Sequence, residues 1–223
     1  MSMHNILMAF PAHYNGYRVV SGVISPTLGN YSSSFPLSSP AWTVLQNASA
    51  DDATVAVPLP FTWTFNGTGY TTVYFCSNLY ITFGAGSGTF NVSSSSPALN
   101  KIMFNAGDRS YQRVAYLTSG TDYVRVRFEG GIGRSATPGA SSVIFEATFF
   151  NPAKTRNLPT LEFLIGLNEA IGSGTSGIYS SSALLTGGTW TPSATTSYVL
   201  QGTLPNANAW NIYTNYYIVG PGY

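Results

Sequence analysis

Eight carboxylates, two histidines and one cysteine are the groups in this 223-residue sequence that most readily serve as acid, base or nucleophile. Glu129, Glu146 and Glu162 fall on the outward phase of three successive strand-like runs. If those strands are neighbours, the carboxyls share a face with Arg125 and Arg127. A glycoside-cleaving pair would need carboxyls about 5–5.5 or 6.5–9.5 Å apart. The simpler reading is a cross-strand charge ladder, each pair contributing roughly 0.2–1 kcal/mol, and it is the one adopted. Jelly-roll glycosidases place their acids two residues apart on one strand, as in E-x-D-x-E, and no strand here does so. His4 and His13 are the only imidazoles, so a Ser-His-Asp triad would have to recruit one of them. No catalytic residue is assigned.

The metal and cofactor signals are weak. No H-E-x-x-H and no cysteine pair occurs, so zinc is unsupported. Asp51-Asp52 precedes Ala53-Thr54-Val55, which suits either a calcium corner, because hard cations gather several oxygens, or a polar pair leading into a strand. The second is preferred and calcium is left open. Gly84-Ala85-Gly86-Ser87-Gly88 follows a strand but opens no helix, so it is a turn and not a phosphate loop. Cys76 follows Phe75 in a strand and reads as a small core or interface residue. No cofactor is expected.

Aromatic side chains are the better functional clue. They make up 14% of the chain, with 15 Tyr, more than one core requires. They give large contact area at low entropic cost and concentrate at interfaces. Tyr111, Tyr179, Trp190, Trp210, Tyr213 and Tyr216 are the candidate glycan or subunit contacts, with about half of all the aromatics expected in the core.

Charged residues are only 8% of the chain, against a usual fraction of about 25%. The net charge of +1 is spread without a basic patch, so nucleic acid is not an expected partner. A charge-poor Ser/Thr/Asn/Tyr surface suits a protein that stays assembled with neighbours. No apolar run of about 18 residues exists, so no membrane insertion is expected. The run Met1–Phe10 lacks a basic start and Pro11 ends it, which is a poor secretion signal. With a single cysteine, this points to synthesis in a cytoplasm. The N-x-S/T triplets at Asn30, Asn47, Asn66 and Asn91 are read as chance.

What must position these groups is β structure. From residue 53 the hydrophobic period is two. Phe61, Trp63 and Phe65 alternate with threonines. Leu79, Ile81 and Phe83 alternate with Tyr80 and Thr82, and Val124, Val126 and Phe128 with Arg125, Arg127 and Glu129. Val143, Phe145, Ala147 and Phe149 continue the pattern, as do Leu161, Phe163, Ile165 and Leu167. One face therefore packs inward while the other meets solvent or a neighbour. Gly/Asn/Ser turns separate the runs. The fold class is all-β, an antiparallel β-sandwich or jelly roll. A short helical turn is expected near Pro97-Ala98-Leu99-Asn100, a strand over Tyr17–Ile24 and one closing strand over Trp210–Val219. Residues 1–50 read as an N-terminal arm with an edge strand, or equally as loops and edge strands of the same body. Residues 51–223 form the sandwich, with a Gly/Ser/Thr-rich loop at 170–197.

One segment carries a resemblance. Asp51-Asp52, Pro60-Phe61-Thr62-Trp63-Thr64-Phe65, Gly67, Tyr70, Val73, Ser77-Asn78, Tyr80 and Phe83-Gly84 resemble a pattern in β-sandwich domains of tailed-bacteriophage virion proteins, of tail-fibre or decoration type. The pattern is also similar to nidogen-like extracellular modules. Asn105–Val114 and Asp122–Gly130 continue it, so it covers roughly residues 51–167. It brings no catalytic residues. It implies a virion structural protein, tail-associated or surface-exposed, made in the host cytoplasm. The implied partners are copies of itself in a symmetric homo-oligomer such as a trimer, other virion proteins and a host surface glycan. A free carbohydrate-binding module using exposed Tyr/Trp is the alternative. Where the common pattern has Ser-Asn-Gly, this chain has Ser77-Asn78-Leu79. Leucine tolerates a positive φ poorly, so a different turn geometry is expected there.

Overall fold

The computed structural model describes residues 17–21, 42–46, 48, 50–89, 93, 95–132, 142–167, 174–185, 197–203, 209–214 and 216–219. The strands, in chain order, are β1 (Arg18–Ser21), β2 (Thr43–Gln46), β3 (Ala50–Asp51), β4 (Thr54–Phe65), β5 (Thr68–Cys76), β6 (Tyr80–Phe83), β7 (Lys101–Ala106) and β8 (Arg109–Ser119). They continue with β9 (Tyr123–Ile132), β10 (Ser142–Phe150), β11 (Thr160–Leu167), β12 (Thr175–Ser180), β13 (Ala183–Leu184), β14 (Ser197–Gly202), β15 (Trp210–Thr214) and β16 (Tyr216–Val219).

Two antiparallel sheets face each other. One has six strands in the order β13-β12-β7-β6-β5-β4. The other has eight, β15-β14-β11-β10-β9-β8-β2, with β3 also paired to β8. The alternation dictates which side of each strand turns inward. In β4, Val57, Leu59, Phe61, Trp63 and Phe65 are buried while Pro58, Pro60 and Thr62 are exposed. Asn66 and Gly67, with φ of 47° and 75°, turn the chain into β5, because an Asn-Gly pair accepts the two left-handed positions of a tight hairpin. Rings from the two sheets interlock. Phe104 on β7 packs on Phe145 and Phe163, each 4.7 Å away between centroids. Trp63 on β4 meets Phe149 at 5.2 Å and Trp210 at 5.7 Å. The expected antiparallel sandwich is therefore present.

Several expectations need correction. Pro97–Asn100 contains no helical turn; the described 3-10 turn is Pro152–Lys154, where the Asn151 side chain accepts from Ala153 N. The expected closing strand is two strands, β15 and β16, that join different sheets. Within 170–197, residues 175–184 form the β12–β13 hairpin, because Ile178 has a core position to fill and Tyr179 packs in a small second cluster. Of residues 1–50, β1 pairs with β16, and β2 and β3 pair with β8. Residues 22–24 of the expected Tyr17–Ile24 strand lie outside the described residues.

Parts of the outward faces are covered by the chain itself. The β1–β16 ribbon lies over the eight-stranded sheet, with Tyr17 packed on Phe150 at 5.0 Å and edge-on to Tyr123 at 6.3 Å. On the six-stranded sheet, β6 is buried on both sides. Its outward residues Tyr80 and Thr82, and Lys101 beside them, lie beneath described residues of the connection to β7, at Ala85, Ser87 and Pro97.

Candidate functional site

The three glutamates sit where the alternation places them, on adjacent strands. Arg127 on β9 bridges two of them: Nε is 2.8 Å from Glu129 Oε1 and Nη1 is 2.8 Å from Glu146 Oε1. Arg113 on β8, opposite Glu129 in register, approaches Oε2 at 3.7 Å. Glu129 is fully buried. This is the cross-strand ladder, with both charges of its central pair taken out of water. Glu162 on β11 is half-buried and accepts the backbone N–H of Ile218 at 3.1 Å. Burial pushes its pKa up, opposed by the Ile218 N–H and Arg125 and aided by Glu146. The carboxyls are thus held by cations and by a backbone donor.

A second cluster joins the sheets at one end. Asn78 is fully buried and its amide is the hub. Nδ2 donates to Asp52 Oδ1 at 2.9 Å and to Thr89 O at 3.2 Å, while Oδ1 accepts from Arg109 N at 2.7 Å. Its own carbonyl accepts Gly107 N. Ser77 adds a reciprocal pair with Ala53, through Ser77 N to Ala53 O and Ala53 N to Ser77 Oγ. Leu79 takes φ of 55°. The turn thus holds leucine in the left-handed region that glycine accepts more readily. Leucine bears the strain because its side chain is 4% exposed and joins the main core.

The same region pins the described part of the β6–β7 connection, a strap over the sheet, by its carbonyls. Tyr80 OH donates to Ser87 O at 2.7 Å, Thr82 Oγ1 to Ala85 O at 2.6 Å and Lys101 Nζ to Pro97 O at 2.6 Å. Lys101 also reaches Ser181 O at 3.0 Å and lies 5.5 Å from the Tyr179 ring centroid. Burial pulls its pKa down to about 8. Cys76 is buried with its thiol pKa raised by burial, the opposite of what a nucleophile needs.

Asp51, Asp52 and Asp108 bring carboxylate oxygens within 4.8 Å of one another. Calcium takes 6–8 oxygens, so three carboxylates alone make an incomplete shell.

The six aromatic candidates divide. Tyr111, Tyr179 and Trp210 are 2%, 6% and 3% exposed, which corrects the expectation that they face outward. Tyr111 and Trp210 fill the main core, and burial raises the Tyr111 pKa to about 12. Tyr179 packs in the second cluster beside Lys101. Tyr213 and Tyr216 are half-buried with rings 5.1 Å apart. Trp190 lies outside the described residues. Sequence reasoning named Ser77-Asn78 only as part of a pattern and passed over Lys101. The signal for Lys101 was a lone cation at the head of the apolar run Ile102-Met103-Phe104, where it needs buried acceptors.

Residues 24–128 match the family model described as NIDO related. The chain is similar to that family over this span, which runs from before β2 into β9 and takes in the whole Asn78 cluster. The nidogen-like similarity seen in the sequence thus has independent support. No curated protein and no solved structure matches the chain.

Proposed function

We propose that this chain is a structural component of a tailed-phage particle, tail-associated or surface-exposed, acting by packing against copies of itself and other virion proteins and by adhesion to a host surface. The observation that carries this reading is the fate of the charged groups. Arg127, the carboxylate it shares with Arg113 and the neighbouring Glu146 are fixed to one another at 2.8–3.7 Å, so they serve as framework. The sequence pattern and the charge-poor composition supply the particle context. The β-sandwich is a rigid body on which Tyr213 and Tyr216 offer a half-exposed aromatic pair to a glycan or a subunit.

Light scattering coupled to size-exclusion chromatography tests the packing role, with a homo-oligomer expected. A strict monomer at high concentration that binds one sugar class on a glycan array would replace this reading with a free carbohydrate-binding module.

A further inference from the structure

Two donors at the end of the sandwich lack acceptors among the described residues. Arg109 opens β8 and is 5% exposed; Asn105 lies near the end of β7 and is 3% exposed. Arg109 Nε and Asn105 Nδ2 are buried with no hydrogen-bond partner among the described residues. The two side chains are neighbours, because Arg109 Nη2 donates to Asn105 O at 3.4 Å. No ion pair to Arg109 occurs among the described residues, and burial lowers its pKa. A guanidinium nevertheless stays charged in a protein. Taking it out of water is a cost that only an opposite charge or several acceptors offset.

The amide orientation of Asn105 is not arbitrary. Its Oδ1 accepts Gly174 N at 2.7 Å, so Nδ2 is the atom left over. Its backbone N donates to Ser176 Oγ at 2.9 Å. A Cβ at position 174 would stand 2.4 Å from Asn105 Oδ1, so glycine is what lets this backbone come close enough to set the amide.

We propose that Arg109 and Asn105 form a binding site for one small oxyanion, a carboxylate or phosphate group, where β7 turns into β8. An oxyanion offers several lone pairs and a charge to a guanidinium edge and an amide N–H together. That combination is the stronger, charge-assisted form of hydrogen bonding. A water molecule can accept from both donors but brings no charge.

The test is thermal denaturation and calorimetric titration of the full chain with acetate and, separately, inorganic phosphate, against chloride at matched ionic strength. A saturable rise in Tm with acetate assigns a carboxylate source, and one with phosphate a phosphate source. Arg109→Gln should weaken the response at least about tenfold, the factor that 1.4 kcal/mol represents. Asn105→Asp keeps the Gly174 acceptor and tolerates the left-handed φ of 65°. It also places a carboxylate beside Arg109, so this variant should be more stable in chloride and should no longer respond. The proposal is overturned if neither anion acts beyond chloride, if Arg109→Gln responds like the wild type, or if Asn105→Asp is less stable in chloride and still responds. Ordered water alone then serves these donors.

Discussion

Glu162 Oε1 accepts the backbone N–H of Ile218 at 3.1 Å, across 56 residues of chain. One carboxylate on β11 therefore helps hold the β1–β16 ribbon against the outer face of the eight-stranded sheet. The acceptor is needed there, but its charge is not.

The pKa of Glu162 is raised by burial, so the folded state binds its proton more tightly than the unfolded chain does. By linkage this residue's contribution falls as pH rises above its unfolded value and is restored below it. Glu162→Gln keeps the acceptor without the charge. It should match or exceed the wild type in Tm at neutral pH, with the difference shrinking below pH about 4.5, near the ordinary Glu value. Glu162→Ala loses the acceptor and should fall below both at either pH. Melting curves at the two pH values decide this.

Lys101 gives the reverse sign. Its folded pKa of about 8 lies below the ordinary lysine value of 10.5. The stability associated with its neutral form is present above the unfolded value and is lost as pH falls through the folded one. Tyr80 and Tyr111 have raised pKa values and act the other way in both proteins, so they cancel in a comparison. The wild type should gain on Lys101→Met as pH rises from about 8 to 10.5. Urea midpoints across that range that move in parallel would contradict it.

At Leu79 two terms oppose. Leu79→Gly removes the left-handed strain, about 1–2 kcal/mol, and empties a core position, about 2–5 kcal/mol. Packing wins, so chemical denaturation should show a net loss of about 2 kcal/mol. A gain in stability would mean the side chain contributes little.

Breaking the ladder should hurt more than deleting it. Arg127→Met leaves the buried Glu129 charge, among the described residues, with only the 3.7 Å contact to Arg113 and should cost about 3–5 kcal/mol. Adding Glu129→Leu should recover much of that loss. A double-mutant cycle on denaturation midpoints reads the coupling directly.

The sandwich was readable because a period of two in β4, β9 and β10 has no helical interpretation, and the glutamate ladder followed from the same register. What could not be read was what lies over each face. Tyr80 and Thr82 look like solvent-facing partners of Ile81, but the strap that buries them, although it follows β6 directly, carries no apolar pattern of its own. Tyr111 and Trp210 failed as surface candidates for a related reason. Both sit on the inward phase of strands whose neighbours had to be known first, β9 for Tyr111 and β14 for Trp210. The Asn78 hub depends on Asp52, Thr89 and Arg109 meeting through turns, which no periodicity reports.

The strap is gripped by Tyr80, Thr82 and Lys101 through main-chain oxygens at 85, 87 and 97, and every residue type supplies that oxygen. The exposed side chains at Ala85 and Ala98 are thus free of the grip. The side chains at 85 and 98 can therefore change while the path is kept, whereas Gly86 and Gly88 leave no room for a Cβ, so variation in what the molecule presents here concentrates at 85 and 98. Substitutions at 85 and 98 that leave Tm unchanged would bear this out, and large losses there would refute it.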